Sequence, residues 1–220
     1  MRASRDFRSL ARWLVGLLLA FLILLPLPAG RAQDYDVDLA LVLAVDCSFS
    51  VDSREFRLQM EGLGEAFRRA EVKRAIAQGH RQRIAVAVVQ WSDDANQKIV
   101  LPWTIVAGDA DADELGLTLS AMNRQLAEGG TSISTALTFS AALFAAAPSA
   151  ERQVIDVSSD GRNNSGPPVA PVRDRLVAQG ITINGLTILN EWPTLDTYFE
   201  NNVAGGTGYF VIPANDYEAY

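Results

Sequence analysis

The chain is almost without the residues that carry covalent and soft-metal chemistry: one cysteine, Cys47, and one histidine, His80, in 220 residues. A single cysteine excludes an intramolecular disulfide, and so few Cys and His exclude a conventional structural or catalytic zinc site. His80 lies in the polar, basic stretch Gly79-His80-Arg81-Gln82-Arg83, which reads as a solvated loop. Cys47 therefore has no evident base to make it a nucleophile, and a buried structural thiol is expected. Also missing are a Pro- or Ser-rich linker, an internal repeat and an excess of basic over acidic side chains, there being 19 Lys and Arg against 26 Asp and Glu. The first two absences leave one domain with a sizeable core. The third disfavours nucleic acid and anionic membrane surfaces, which need arrays of Lys and Arg to displace counterions.

The basic residues that are present are spread unevenly. Arg2, Arg5, Arg8 and Arg12 precede an uncharged stretch from Trp13 to Gly30, the charged-then-apolar layout of an export signal. Gly30 and Ala32 have the small-residue spacing a signal peptidase needs, so cleavage after Ala32 is expected, with residues 1–32 as leader and 33–220 as the domain. An uncleaved anchor is the alternative, because the apolar segment is near the lower limit for spanning a bilayer; Pro26 and Pro28 near its end favour cleavage. Neither a twin-arginine pair nor a cysteine at the leader's end is present. The expected location is periplasmic or secreted, without membrane association after cleavage. The whole chain has a formal charge of −7; removing five arginines and Asp6 with the leader leaves 14 basic and 25 acidic side chains, or −11. Such a surface favours solubility and holds divalent cations nearby.

What the chain does have is an apolar run, Leu39-Ala40-Leu41-Val42-Leu43-Ala44-Val45, followed at once by Asp46-Cys47-Ser48-Phe49-Ser50. The run reads as a strand buried on both faces of a parallel sheet, and ligands collect where such strands end. Positions 46, 48 and 50 then offer a carboxylate and two hydroxyls, all hard oxygen donors. Mg²⁺ wants about six such donors at roughly 2.0–2.1 Å and keeps waters readily. By itself the D-x-S-x-S spelling is also ordinary turn chemistry. Two further segments join it: Gly129-Gly130-Thr131-Ser132 ahead of a helical stretch, and Val154-Ile155-Asp156-Val157-Ser158-Ser159-Asp160-Gly161, a second apolar strand ending in a carboxylate.

In this order and separation the three segments resemble the metal-ion-dependent adhesion site of von Willebrand factor type A domains, in a secreted bacterial group. The likeness runs from about Asp38 to the C-terminus and departs at Cys47, where a small or apolar residue is commoner. It implies that Ser48, Ser50 and Thr131 supply hydroxyl ligands to Mg²⁺ or Mn²⁺, with Asp46 and Asp160 acting directly or through water. It implies also a non-catalytic binding module whose ion bridges to a Glu or Asp side chain of a partner protein. A metal-assisted hydrolase and a purely structural scaffold are the alternatives. The hydrolase lacks a base, since no His falls in the metal segments and both aspartates are committed to the ion.

The rest of the chain alternates strands and helices, which predicts a three-layer, doubly wound α/β domain with a mostly parallel sheet and one antiparallel edge strand. Asp52-Ser53-Arg54-Glu55 spells a capping box, after which Phe56, Met60, Leu63 and Phe67 recur at helical spacing. Residues 83–91 read as a buried strand, and 97–101 as a short strand paired to it across the turn Asp93-Asp94-Ala95-Asn96. Helices are expected over 109–126, 133–144, 171–179 and 194–203, and strands over 153–158, 181–189 and 209–212. The last residues look like a helix barely begun, so the domain is expected to lack a final C-terminal helix. Asp156, inside a strand, calls for a partner: a ligand hydroxyl, a loop amide or a neighbouring helix residue. The polar loop 162–168 and the aromatics Trp103, Trp192 and Tyr198 are candidate recognition elements, with plain connection and packing as their alternatives.

Overall fold

The computed structural model describes residues 36–220. The proposed leader and its cleavage position lie outside the described residues. Six strands form one sheet: β1 (Val37–Asp46), β2 (Ile84–Trp91), β3 (Gln97–Val106), β4 (Ala150–Ser159), β5 (Ile181–Ile188) and β6 (Val211–Ala214). Their order is β3-β2-β1-β4-β5-β6, parallel throughout except for the antiparallel β2–β3 pair at one edge. The direction of winding reverses at β1, so the crevice beside the carboxyl ends of β1 and β4 is where a ligand is expected.

Among the described residues six α-helices cover the sheet: α1 (Ser53–Arg68), α2 (Ala70–Gln78), α3 (Asp109–Ser120), α4 (Ile133–Leu143), α5 (Val169–Ala178) and α6 (Leu195–Asn202). Alternation along β1 separates the two interfaces, since successive side chains leave a strand on opposite faces. Ala40, Val42 and Ala44 pack with Ile133, Leu137, Val172, Leu176 and Phe199 of α4, α5 and α6. Leu41, Leu43 and Val45 pack with Phe56, Met60, Phe67, Ile76, Leu115 and Leu119 of α1, α2 and α3. Every residue of β2 is buried, as the apolar run 84–89 requires, with polar Gln90 buried beside it.

The capping box is formed as expected. Asp52 accepts from the Arg54 and Glu55 amides at 2.7 and 2.8 Å, and Glu55 accepts from the Asp52 amide at 2.8 Å. The helix so started crosses α3 at very short range. A Cβ on Gly64 would lie 2.2 Å from Ser120 Oγ and 2.4 Å from the Gly116 carbonyl, so only hydrogen fits there.

Several boundaries differ from the sequence reading. α3 stops at Ser120 rather than continuing to Leu126. The buried side chain of Gln90 takes over the following residues, accepting from the Gln125 amide at 2.6 Å and donating to the Asn123 carbonyl at 2.9 Å. β3 runs ten residues, not five. It is an edge strand with irregular register opposite Val86–Val89, which is where Pro102 is tolerated. α2 was not anticipated: Arg69 adopts an extended conformation that ends α1, and a new helix starts without a side-chain cap. The last strand is displaced to Val211–Ala214 from the expected 209–212.

Candidate functional site

Asp46 is the last residue of β1 and is fully buried. β4 runs parallel beside it in a register that pairs Val45 with Ser158, which brings the end of β4 level with the carboxylate. Asp46 Oδ2 accepts from Ser159 Oγ at 2.5 Å, and Oδ1 accepts from the Ser48 amide at 2.7 Å. The second bond curls the chain after β1 so that the hydroxyls of Ser48 and Ser50 come within 3.2 Å of each other. Ser50 Oγ in turn donates to Asp160 Oδ1 at 2.6 Å, joining two loops that are 110 residues apart in sequence.

Thr131 arrives from a third direction, just ahead of α4, and is buried. Its loop is tied to the first by the Phe49 amide, which donates to the Gly129 carbonyl at 2.9 Å. The polar loop 162–168 holds it from the other side. Thr131 N donates to Asn164 Oδ1 at 2.8 Å, while the Asn164 and Ser165 amides donate to the Thr131 carbonyl at 2.9 and 3.2 Å. Asn163 Oδ1 accepts from the Ser134 amide at 3.2 Å in the first turn of α4, whose cap residue Ser132 does not cap the backbone amides with its own side chain but accepts from Thr135 Oγ1 at 2.7 Å. Gly166 closes this loop at a φ of 73°, and a Cβ there would meet Ser132 Oγ at 2.5 Å. A Cβ on Gly161 would stand 3.5 Å from Thr131 Oγ1, which places the threonine hydroxyl beside the end of β4. All five expected residues, Asp46, Ser48, Ser50, Thr131 and Asp160, therefore meet at the carboxyl edge of the central strands.

The electrostatics are those of an incompletely neutralised pocket. Asp46 and Asp160 are both fully buried, and among the described residues neither forms an ion pair with Lys, Arg or His. Burial raises the Asp46 carboxyl to about 7, and repulsion from Asp160 adds to the rise against the hydrogen bonds from Ser159 and Ser48. Two buried carboxylates beside three hydroxyls, with no basic side chain, fit a hard divalent cation, which would supply the missing positive charge. The described residues contain no cluster of three or more His, Cys, Asp or Glu able to hold a metal. The donor set here differs in being mostly hydroxyl.

Sequence reasoning missed three supporting residues. Ser159 fixes the Asp46 carboxylate; its signal was a small hydroxyl at the end of an apolar strand, next to Asp160. Tyr217, buried near the C-terminus, donates to Asp160 Oδ2 at 2.9 Å, so Asp160 is held from both sides. Arg124 lies over the Phe56 ring and donates to the Val51 carbonyl, pinning the loop after β1. No local pattern marks either of these two residues for such a role.

Other candidates resolve differently. Asp156 makes neither a ligand contact nor a helix pair: it accepts from Asn184 Nδ2 on β5 at 2.7 Å. Cys47 is fully buried and its thiol is pushed up to about 12, chiefly by burial. His80 is remote from the site, lining a cavity of about 660 Å³ at the opposite end of β1 with Asp38, Ile76 and Gly79. Trp103 packs on Phe144 and donates to the Leu143 carbonyl at 3.1 Å. Trp192, by contrast, is exposed and borders a cleft of about 500 Å³ that opens over Ser50 and Thr131.

Residues 36–220 match the family described as "Protein of unknown function (DUF1194)". The chain belongs to that family. No curated protein matches it. Among solved structures, proximal thread matrix protein 1 from the mussel byssus, with a zinc-occupied MIDAS motif, superposes with a TM-score of 0.62 at 20% identity, covering 84% of this chain and 45% of its own. A von Willebrand factor type A protein from Catenulispora acidiphila gives 0.56 at 18% identity, covering 82% of this chain and 39% of its own. The conserved hypothetical protein BatB from Bacteroides thetaiotaomicron gives 0.55 at 16% identity, covering 81% and 91%. The fold of this DUF1194 protein is that of the von Willebrand factor type A domain. It spans less than half the length of the mussel and Catenulispora chains. No helix among the described residues is long and apolar enough to cross a membrane.

Proposed function

We propose that the protein is a non-catalytic, divalent-cation-dependent binding module acting outside the cytoplasm, its ion bridging to a Glu or Asp side chain of a partner protein. The observation that carries this reading is the convergence of buried Asp46 and Asp160 with Ser48, Ser50 and Thr131, neither aspartate forming an ion pair among the described residues. Those five residues would hold Mg²⁺ or Mn²⁺. The zinc-occupied MIDAS motif of the mussel protein, which is similar in fold, supports a divalent ion in this chain. When bound, the ion would supply an electron-poor centre able to attract an outside anion.

The chain's own residues prepare that event. Two carboxylates can balance the two positive charges of the ion, while the neutral hydroxyls add coordination without further negative charge. An incoming carboxylate then meets no excess of negative ligands to repel it from the ion. Ser159 and Tyr217 aim the two aspartates, and the Asn164 and Ser165 amides hold the Thr131 backbone. The cleft over Ser50 and Thr131 gives a partner side chain a way in. The buried high-pKa thiol of Cys47 and the remote position of His80 support the non-catalytic reading. The charged-then-apolar leader supports the extracytoplasmic location.

The test is capture of a partner from envelope extract in Mg²⁺ and in chelator, with wild type, Asp46→Ala and Thr131→Ala. Capture is expected from wild type in Mg²⁺ alone. Both variants should keep the far-ultraviolet circular dichroism of the fold and lose capture. Folded variants that still take the same partner in a Mg²⁺-dependent way would overturn the reading.

A further inference from the structure

Directly after Asp160 and Gly161 the chain places Arg162 at the rim of the cleft. Its guanidinium carbon lies 5.1 Å from the Trp192 ring centroid and 5.5 Å from that of Tyr198. Arg162 Nη2 donates to Thr194 Oγ1 at 2.8 Å, which fixes the side chain from the start of α6. Among the described residues no carboxylate pairs with it, although Glu191 lines the same cleft. A guanidinium held on aromatic faces keeps a planar fork of N–H donors, so little freedom is lost when a carboxylate arrives.

We propose that Arg162 is a second anion-binding point of the metal cleft, selecting an extended acidic segment of a partner protein that presents two neighbouring carboxylates. The inference rests on the metal reading of the site and adds which kind of carboxylate-bearing partner fits. One carboxylate goes to the ion, and a second meets the guanidinium. A segment with a single carboxylate leaves Arg162 without a counter-charge. The wall chemistry agrees: Phe49 is 71% and Trp192 45% exposed at this cleft, giving apolar surface for the methylene stems of Glu or Asp side chains. Charge complementarity thus decides the occupant, since a basic or neutral segment would use neither cationic point.

The test uses the purified protein with two sets of immobilised synthetic peptides of equal length, one carrying a single Glu and the other two Glu residues one to three positions apart. Binding is measured in Mg²⁺ and in chelator. Wild type should bind the best two-Glu peptide about fivefold more tightly than the one-Glu peptide, in Mg²⁺ only, as a partly exposed ion pair allows. Arg162→Gln should retain Mg²⁺-dependent binding of both peptides at nearly equal strength, and Trp192→Ala should reduce the preference by freeing the guanidinium. Mg²⁺-induced stabilisation on melting is recorded for every variant. Stabilisation with equal binding of both peptides, with no Mg²⁺-dependent binding of the two-Glu peptide, or with a preference unchanged in Arg162→Gln would overturn this inference and leave the metal site standing. Loss of the Mg²⁺ stabilisation in wild type would overturn both.

Discussion

Asp46 makes the metal-free protein sensitive to pH in an unusual direction. Its carboxyl rises from an ordinary value of 3.8 to about 7 in the fold, mainly through burial and then through repulsion from Asp160. The folded form therefore holds this proton more tightly than the unfolded chain. The resulting stabilisation is fully present below about pH 4 and is lost as the pH rises through about 7. Between pH 5.5 and 8 the linkage amounts to about 2 kcal/mol, on the order of 4–8 °C in melting temperature for a domain of this size. Asp46→Asn removes the titrating group while keeping the shape of the side chain. In chelator, wild type should lose that stability between pH 5.5 and 8 relative to the variant, and the variant should be the more stable at pH 8. Mg²⁺ should reverse the ranking at pH 8, because the ion competes with the proton. The assay is chemical denaturation at the two pH values, with and without Mg²⁺. Parallel pH dependence of wild type and Asp46→Asn in chelator would refute the reasoning.

Saturating Mg²⁺ should stabilise wild type by about 2.7 kcal/mol at one hundred times its dissociation constant, and a melting temperature unmoved by millimolar metal would count against the site. Tyr217→Phe removes the hydroxyl that aims Asp160; Mg²⁺ affinity should fall about tenfold, measured by calorimetric titration, with only about 1 kcal/mol of stability lost. Cys47→Ser should leave Mg²⁺ binding intact while costing about 1–3 kcal/mol, since a hydroxyl replaces a thiol in an apolar cluster. Gly64→Ala forces α1 away from α3 and should destabilise by about 1–3 kcal/mol in denaturant, without altering Mg²⁺ affinity in the folded fraction.

Much of this arrangement was legible in the chain because it is encoded locally. The apolar run 39–45 announces β1, and Asp52 with Glu55 announces the helix that follows. The five candidate ligands sit at ends of elements whose order follows from alternation. What was hidden depends on contacts distant in sequence. The end of α3 is set by Gln90, whose buried amide captures residues 33 and 35 positions away. Tyr217 reaches Asp160 across 57 positions, and Asp156 finds its partner on β5 rather than on a helix. The loop 162–168 looked like either a recognition surface or a connection. Its asparagines brace Thr131 and the start of α4 while lining the same cleft as Arg162.

Whether an ion sits at the carboxyl ends of β1 and β4 is read directly from a crystal grown or soaked with Mn²⁺ and measured for anomalous scattering. A single strong peak bounded by Asp46, Ser48, Ser50, Thr131 and Asp160, and absent from Asp46→Ala crystals, is expected. A crystal with that cleft open to solvent and no peak there, or with the ion held by other residues, would contradict the metal reading of the site.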